Sequence, residues 1–291
     1  MGVRFYRKGF NVVYEYAMNE FDVNDLKKLY IPKSDSHKGE NGKLLIIGGS
    51  VLFHAASLWA LQVASRIVDM VFYSSVPANN ALVEKEKEEF RNGIIVPRNK
   101  IDHYIEEADC ILIGPGLPRE NGVEQGDDDT KELTERLFKA SPNKKWVVDG
   151  GSLQVIEPEV LPETAIVTPH HKEFQTLFKT EPTFENVQNM AQKFNITILL
   201  KGEKDIVCNA QNSVTISGGN AGMTKGGTGD VLAGLVASFY CKNEAFLSAK
   251  AGSFINKKAG EAVAQKMGLY FNASDLANEI PLIMKNLILT S

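Results

Sequence analysis

The chain has 291 residues, 43% of them hydrophobic and 23% charged, with a formal net charge of −4. That length allows a sizeable buried core in one large domain or two ordinary ones. The mildly acidic balance excludes a basic field suited to nucleic acid or to an anionic membrane surface.

No secretory h-region opens the chain, and no apolar run approaches the roughly 20 residues of a membrane helix. The initial Met1-Gly2 does not make a myristoylation signal, because Tyr6 stands where Ser or Thr is required. Cys110, Cys208 and Cys241 are far apart and form no Cys-x-x-Cys, as expected of buried thiols in a reducing compartment. A cytoplasmic protein with no nucleic-acid or membrane partner is expected.

Residues 1–35 carry no assignable pattern and are treated as an N-terminal extension. The apolar run "KLLIIGGS" (43–50) then reads as a buried strand, followed by the helical stretch "AASLWALQVASRI". Further strands are expected at "DMVFYSSV", "NGIIVP", "DCILIGPG", "KKWVVDGG", "TAIVTPH" and "ITILLKG", with "SVTISGG" pairing back on "DIVCN" as a hairpin. The run "EKEKEEF" (84–90) reads as a solvated face. The aspartates of "GDDDT" (126–130) read as caps for the helix "TKELTERLFKA" rather than as metal ligands. From "DVLAGLVASFYC" to the end the pattern is helical. Strands alternating with helices imply an α/β fold with a mostly parallel sheet. No linker or repeat interrupts residues 36–291, so one domain is expected.

Each strand ends in small or chemically able residues: Gly48-Gly49-Ser50, Gly114-Pro115-Gly116, Asp149-Gly150-Gly151, Thr168-Pro169-His170 and Lys201-Gly202. Turning the chain explains the glycines and prolines but not Asp149, His170 or Lys201. Ligands of open parallel sheets bind beyond the carboxyl ends of the strands, so these loops are expected to converge on one site. Adjacent His170 and His171 do not suggest a metal, since neighbours in an extended segment point apart and no third ligand is near.

The densest punctuation is "NAGMTKGGTGDVLAG", Asn220 to Gly234. It is neither a P-loop nor a strict G-x-G-x-x-G. Gly226, Gly227, Thr228 and Gly229 lead directly into a helix, whose first amides and dipole favour an anion. Asp230 beside such an anion hole has either a capping role or a chemical one. The chemical one is to accept a proton from a hydroxyl that attacks a phosphoryl group. Its reference pKa of about 3.9 makes a weak base, but positioning dominates phosphoryl transfer. Lys225 is equally readable as a phosphate contact or as a solvent-facing side chain.

That stretch closely resembles the signature of the ADP/ATP-dependent NAD(P)H-hydrate dehydratases of the ribokinase-like superfamily. "SHKGENGKLLIIGGS", "ILIGPGL", "VVDGGSL", "IVTPHHKEF", "ILLKGEKDIV" and "ASDLANEIP" resemble the family's other landmarks in the same order, from Ser36 to the C-terminus. The resemblance implies a three-layer α/β/α fold with a mostly parallel central sheet. It implies repair of hydrated NADH and NADPH, in which water has added across a double bond of the nicotinamide ring. ADP or ATP phosphorylates the ring hydroxyl, and phosphate then leaves.

Residue by residue, the resemblance implies that Asp230 is the acid-base at the substrate hydroxyl and that Gly226, Gly227, Thr228 and Gly229 form the anion hole. Lys201, Gly202, Glu203, Lys204, Asp205 and Gly229 would bind the adenine nucleotide, and Ala56, Gly116, His170 and Asp230 the hydrated dinucleotide. Asn220 and Glu173 would support them. Mg²⁺ would accompany the nucleotide, and the protein would be a homo-oligomer, as its relatives often are tetramers. The chain departs from the family at Ala55, where relatives have Gly, and at Pro118, where they often have Gly. A related kinase for a thiazole, pyrimidine or pyridoxal alcohol, and a nucleotide-binding protein without turnover, are the competing readings. "NAGM" and "KGEKD" favour the dehydratase over the first, and the retention of both Asp230 and the glycine strip disfavours the second.

Overall fold

Runs of four or five apolar residues in extended conformation send alternate side chains to opposite faces. Such runs are stable only when both faces are covered. In the computed structural model, which describes residues 3–8, 11–16, 19–86, 92–119 and 122–289, this condition is met by helices on both faces. Met1, Gly2 and residues 87–90 of the charged run lie outside the described residues.

Val3–Lys8 (β1) and Asn11–Tyr16 (β2) pair antiparallel as a separate ribbon. The main sheet contains β3 (Lys43–Ile47), β4 (Met70–Ser74), β5 (Ile94–Ile95), β6 (Cys110–Ile113) and β7 (Lys145–Val148). It continues with β8 (Ala165–Val167), β9 (Thr197–Leu200), β10 (Asp205–Cys208) and β11 (Ser213–Ile216). The order across it is β11-β10-β9-β8-β7-β6-β3-β4-β5. Neighbours from β5 to β9 are parallel, and β10 runs antiparallel to both β9 and β11. The expected mostly parallel sheet and the expected hairpin are both present.

One face of the sheet carries Leu44, Ile46, Leu112, Val147, Ile166 and Leu199 against α1 (His54–Ala64) and three later helices. The helix α2 (Pro77–Glu86) lends Val83 to the same face. The opposite face carries the alternate residues, such as Leu45, Ile113 and Val148. These pack against α3 (Ile101–Glu107), α4 (Thr130–Ala140), α5 (Gly150–Val155), α6 (His171–Phe178) and α7 (Phe184–Phe194). The three later helices are α8 (Thr228–Lys242), α9 (Ala245–Met267) and α10 (Ala273–Met284). The result is an α/β/α three-layer architecture.

The "GDDDT" loop is fully engaged. Asp129 caps α4 by accepting from the Glu132 amide, Asp128 pairs with Arg98 at 2.7 Å, and Asp127 accepts from the Val51 amide at 2.8 Å. Residues 19–32, unassigned from sequence, pack onto the same domain. Leu26 and Leu29 are buried in its core, Phe21 stacks on Phe254, and Asp25 pairs with Lys250. Their apolar residues follow no strand or helix period, which hid them from pattern reading. Phe21 donates to the Thr215 carbonyl and Thr215 donates to that of Asn19, so this segment lies along the free edge of β11.

Helices α1 and α8 cross where Gly234 has no side chain. A Cβ there would lie 2.7 Å from the Ala60 Cα and 2.8 Å from Val63 Cγ1. This contact sets the spacing of two helices whose N-terminal ends both reach the site described below. Gly234→Val is expected to destabilise the protein by about 1–3 kcal/mol through overpacking, read as a fall of several degrees in the thermal midpoint. An unchanged midpoint would show that the crossing is not closely packed.

Candidate active site

The parallel strands β3, β6, β7, β8 and β9 end at one edge of the sheet, and their loops are stitched together there. Gly49 donates to the Pro115 carbonyl (2.8 Å), Asp149 to that of Ile113 (3.0 Å), Thr168 to that of Val148 (3.1 Å) and Lys201 to that of Pro169 (2.8 Å). The five loops therefore converge, as expected. Strand order reverses between β3 and β6, the switch point at which α/β sheets open a crevice. Close approach of these loops requires glycine at position 114: a Cβ there would lie 1.7 Å from the Asp149 carbonyl oxygen, and φ is +118°.

Behind the loops sits a cluster of charge. Lys201 Nζ donates to Asp149 Oδ1 at 2.7 Å, and Thr168 Oγ1 donates to the same oxygen at 2.8 Å. Glu173 Oε2 is 3.9 Å from the ammonium. Burial alone would lower the Lys201 pKa, but the Asp149 and Glu173 carboxylates outweigh it and hold the amine protonated above its ordinary range. Glu173 also accepts from the His170 amide (2.9 Å) and from Gln154 (3.2 Å). His170 is the N-cap of α6: its Nδ1 accepts from the amides of Lys172 (3.1 Å) and Glu173 (3.2 Å), closing a capping box with Glu173. Sequence reasoning placed His170 at the site but did not see that it also starts a helix.

Asp230 lies in the first turn of α8, facing this cluster. Desolvation and the Asp149 carboxylate raise its pKa from 3.8 to about 7, against the pull of the Lys201 ammonium. The weak base expected from its reference value is therefore replaced by a group matched to neutral pH.

The glycines before it have different tasks. A Cβ on Gly226 would meet nothing within 4 Å, and one on Gly229 would lie 3.4 Å from Lys201 Nζ, so both keep open the approach to the helix start. Gly227 instead has φ +95°, and a Cβ on it would lie 2.4 Å from the Trp59 ring. The Thr228 hydroxyl turns back to the chain, 2.6 Å from the Met223 carbonyl oxygen and 2.9 Å from that of Lys225. The first-turn amides of Gly229 and Asp230 have no intrahelical acceptor, as at any helix start.

Two cavities meet at this helix start. One, of about 890 Å³, is lined by Lys201, Gly202, Glu203, Lys204 and Asp205 together with Asn220 and Gly229. The other, of about 640 Å³, is lined by Ala56, Gly116, Glu173, Gly226, Gly227 and Asp230. His170, Lys201, Met223, Thr224, Thr228 and Gly229 line both. Every residue to which the family resemblance gave a site role thus lines one or both cavities. Several do so as scaffold. Asp205 accepts from the Gly202 amide (2.9 Å) and from Ser253 Oγ (2.7 Å), and Asn220 bonds the Gly222 amide and the Gly260 carbonyl. Lys225 donates to the carbonyls of Leu269 and Phe271 and so is not a free cation.

Two residues escaped sequence reasoning. Lys257, 5% exposed, donates to the carbonyls of Gly202 (3.1 Å), Glu203 (3.0 Å) and Gly218 (3.3 Å), tying together two walls of the larger cavity. Trp59 closes over Gly227 and donates to Ser274 Oγ. A lysine in "NKK" and a tryptophan in an apolar helix carry no local signal of such roles. Among the described residues, no group of three or more His, Cys, Asp or Glu is arranged to hold a metal ion, and no helix is long and apolar enough to cross a membrane.

Comparison with known proteins agrees with this geometry. A family model for NAD(P)H-hydrate dehydratase matches residues 44–282. The chain is 38% identical over 270 residues to the bifunctional NAD(P)H-hydrate repair enzyme Nnr of Methanocaldococcus jannaschii, covering 90% of this chain and 52% of that one. It is 36% identical over 286 residues to the ADP-dependent (S)-NAD(P)H-hydrate dehydratase of Nitrosopumilus maritimus, covering 89% of this chain and 95% of that one. The chain thus spans about half the length of the first relative and nearly all of the second. Its fold matches that of a ribokinase-like superfamily protein from Enterococcus faecalis with a TM-score of 0.81 at 23% identity, over 95% of this chain and 98% of that one. With the glycine strip, Asp230 and the paired cavities in place, the chain belongs to the NAD(P)H-hydrate dehydratase family.

Proposed function

We propose that the protein uses ADP or ATP to dehydrate hydrated NADH and NADPH, restoring the reduced dinucleotides. The observation that carries this reading is the meeting of two ligand-sized cavities at one helix start, with Asp230 in the smaller and Gly229 shared. Phosphoryl transfer needs a donor and a hydroxyl on either side of a single anion-binding point, and little else beyond positioning and neutralisation.

In this reading the nucleotide lies in the larger cavity along Lys201–Asp205, and the damaged dinucleotide in the smaller one against Ala56, Gly116 and His170. The amides at Gly226–Gly229 take the transferred phosphoryl group, and Asp230 accepts the hydroxyl proton. Phosphate, a better leaving group than hydroxide, is then expelled by the ring nitrogen lone pair. Asn220 and Glu173 hold the surrounding backbone. Magnesium is expected to accompany the nucleotide, where it would supply charge neutralisation for phosphoryl transfer. A family domain of residues 36–291, with residues 19–32 packed onto it, a homo-oligomeric state and a cytoplasmic location complete the reading on resemblance to the family.

Adding ADP or ATP with Mg²⁺ to protein and hydrated NADH is expected to restore reduced-nicotinamide absorbance, with no recovery when nucleotide is omitted. Accumulation of a stable phosphorylated alcohol from another substrate, without NADH, would instead mark a kinase. Asp230→Asn should lower turnover by about 10²–10⁴-fold while nucleotide still binds in a calorimetric titration.

The raised Asp230 pKa also predicts the stability of that variant. The folded state holds a proton that the unfolded chain releases between its ordinary value of 3.8 and about 7, so stability falls as pH rises through that window. Asp230→Asn removes this loss. Its thermal midpoint should exceed the wild-type value at pH 8 and converge with it near pH 4; equal midpoints at both pH values would contradict the shift.

Lys257→Met should raise the KM for nucleotide roughly tenfold through loss of its carbonyl bonds, and leave the KM for hydrated dinucleotide unchanged. Parallel changes in both constants would mean that Lys257 acts on the whole domain.

A further inference from the structure

The hydrated dinucleotide carries a diphosphate between its two nucleosides, so the smaller cavity has to hold negative charge as well as a ring. Its inner end is ill suited to that charge. Asp149, Glu173 and Asp230 line it, and the Lys201 ammonium is taken by Asp149 at 2.7 Å. Lys225 lines the same cavity but donates to the carbonyls of Leu269 and Phe271. A cation for the diphosphate has to be sought nearer the mouth.

Arg119 lines that cavity from the loop after β6, and it is exposed. Among the described residues its guanidinium has no hydrogen-bond or ion-pair partner. Acids are nevertheless close in the chain that the loop touches. Thr130 Oγ1 donates to the Pro118 carbonyl at 2.7 Å, and three aspartates directly precede Thr130. Each of them is committed elsewhere: Asp127 to the amides of Val51 and Glu124, Asp128 to Arg98, and Asp129 to the start of α4. The backbone beneath Arg119 is fixed as well. Leu117 and Pro118 are buried, proline locks its own φ, and the Arg119 carbonyl accepts from the Gly122 amide at 3.0 Å. A permanently charged fork on an anchored loop suits a phosphate, which it can meet with two hydrogen bonds. Leu52 and Phe53, 53% and 55% exposed, line the same cavity and offer apolar surface to a nucleoside beside that phosphate. Their loop is packed on the one that carries Arg119, since a Cβ on Gly116 would lie 2.4 Å from the Phe53 carbonyl oxygen.

We propose that Arg119 is the phosphate anchor of the hydrated dinucleotide: its guanidinium binds the diphosphate at the mouth of the smaller cavity and so directs the ring end inward, toward Asp230. Reach agrees with this assignment. Arg119 stands three residues beyond Gly116, about 11 Å of extended chain, and Gly116 is packed on Ala56, where a Cβ would lie 3.1 Å from that of Ala56. A span of that order covers the ribose between ring and diphosphate. It falls short of the far ribose, whose 2′-phosphate only hydrated NADPH carries. The diphosphate is common to both substrates, so one anchor serves both. The contact lies away from the reacting atoms and is the same before and during phosphoryl transfer. It therefore acts on the KM for the dinucleotide and not on kcat.

This inference rests on the dehydratase reading, and its test separates the two. Steady-state kinetics are measured with hydrated NADH and with hydrated NADPH for the wild type, Arg119→Leu, Arg119→Lys and His54→Gln. His54, the first residue of α1, is exposed at the same cavity and is the comparison for a general change at the mouth. Arg119→Leu should raise the KM for both hydrates about tenfold, the loss of a charge-assisted hydrogen bond, with kcat and the KM for nucleotide at wild-type values. Arg119→Lys, which keeps the charge but not the fork, should fall between the two. His54→Gln should leave both constants within about twofold of wild type, and added salt should narrow the gap between wild type and Arg119→Leu. The proposal is overturned if Arg119→Leu leaves the KM for the hydrates unchanged. It is equally overturned if the KM rises for hydrated NADPH alone, which would put the guanidinium on the 2′-phosphate, or if kcat falls with it. Failure of the dehydratase reading looks different: the wild type would restore no NADH from its hydrate when nucleotide is added.

Discussion

The contact between Lys201 and Asp149 is the constraint on which the site depends. It joins the ends of β9 and β7 across β8, at 2.7 Å and largely out of solvent. Breaking such a pair from one side leaves an uncompensated charge, at a cost of about 3–5 kcal/mol. Its effects are felt on three elements. The Lys201 backbone bridges to His170, where α6 begins; the Asp149 charge raises the affinity of Asp230 for a proton; and the ammonium stands where Gly229 has no side chain. Sheet, capping histidine and helix start are thus held in one electrostatic unit.

Much of this was legible from the residues. Short apolar runs revealed the strands because burial on both faces leaves little room for polar residues, and the loops after them revealed the site because Asp149, His170 and Lys201 serve no turn. Asp230 was legible because an acid directly after a glycine-rich helix start needs a reason. What could not be read depends on distant partners. The pKa of Asp230 is set by its burial and then by Asp149 and Lys201, which meet it only through sheet topology. Lys257 looks like any helix-surface lysine until Asp205 and three carbonyls are brought around it. Leu26 and Leu29 of the N-terminal segment follow no regular period and are recognised only by what covers them.

The glycine strip shows that one composition can serve two demands at adjacent positions. Gly226 and Gly229 leave space where a ligand would lie, whereas Gly227 is required by its backbone angle and by the ring of Trp59. Substitutions at the two kinds of position would act through different physics, one on ligand approach and the other on the seating of α8. Trp59 in turn belongs to α1, which also carries Ala56, so this wall of the smaller cavity and the start of α8 are parts of one packed corner.

The segment along β11 has a bearing on solubility. A sheet that ends in an open strand offers unpaired amides and carbonyls to any other extended chain. Here Asn19 and Phe21 occupy the Thr215 positions of that edge, and Phe21 is fixed by stacking on Phe254. Residues that look like a dispensable leader act instead as a selvedge. Trimming the chain back to the first recognisable strand would take Leu26 and Leu29 out of the core and give neighbouring molecules a ready seam along which to join.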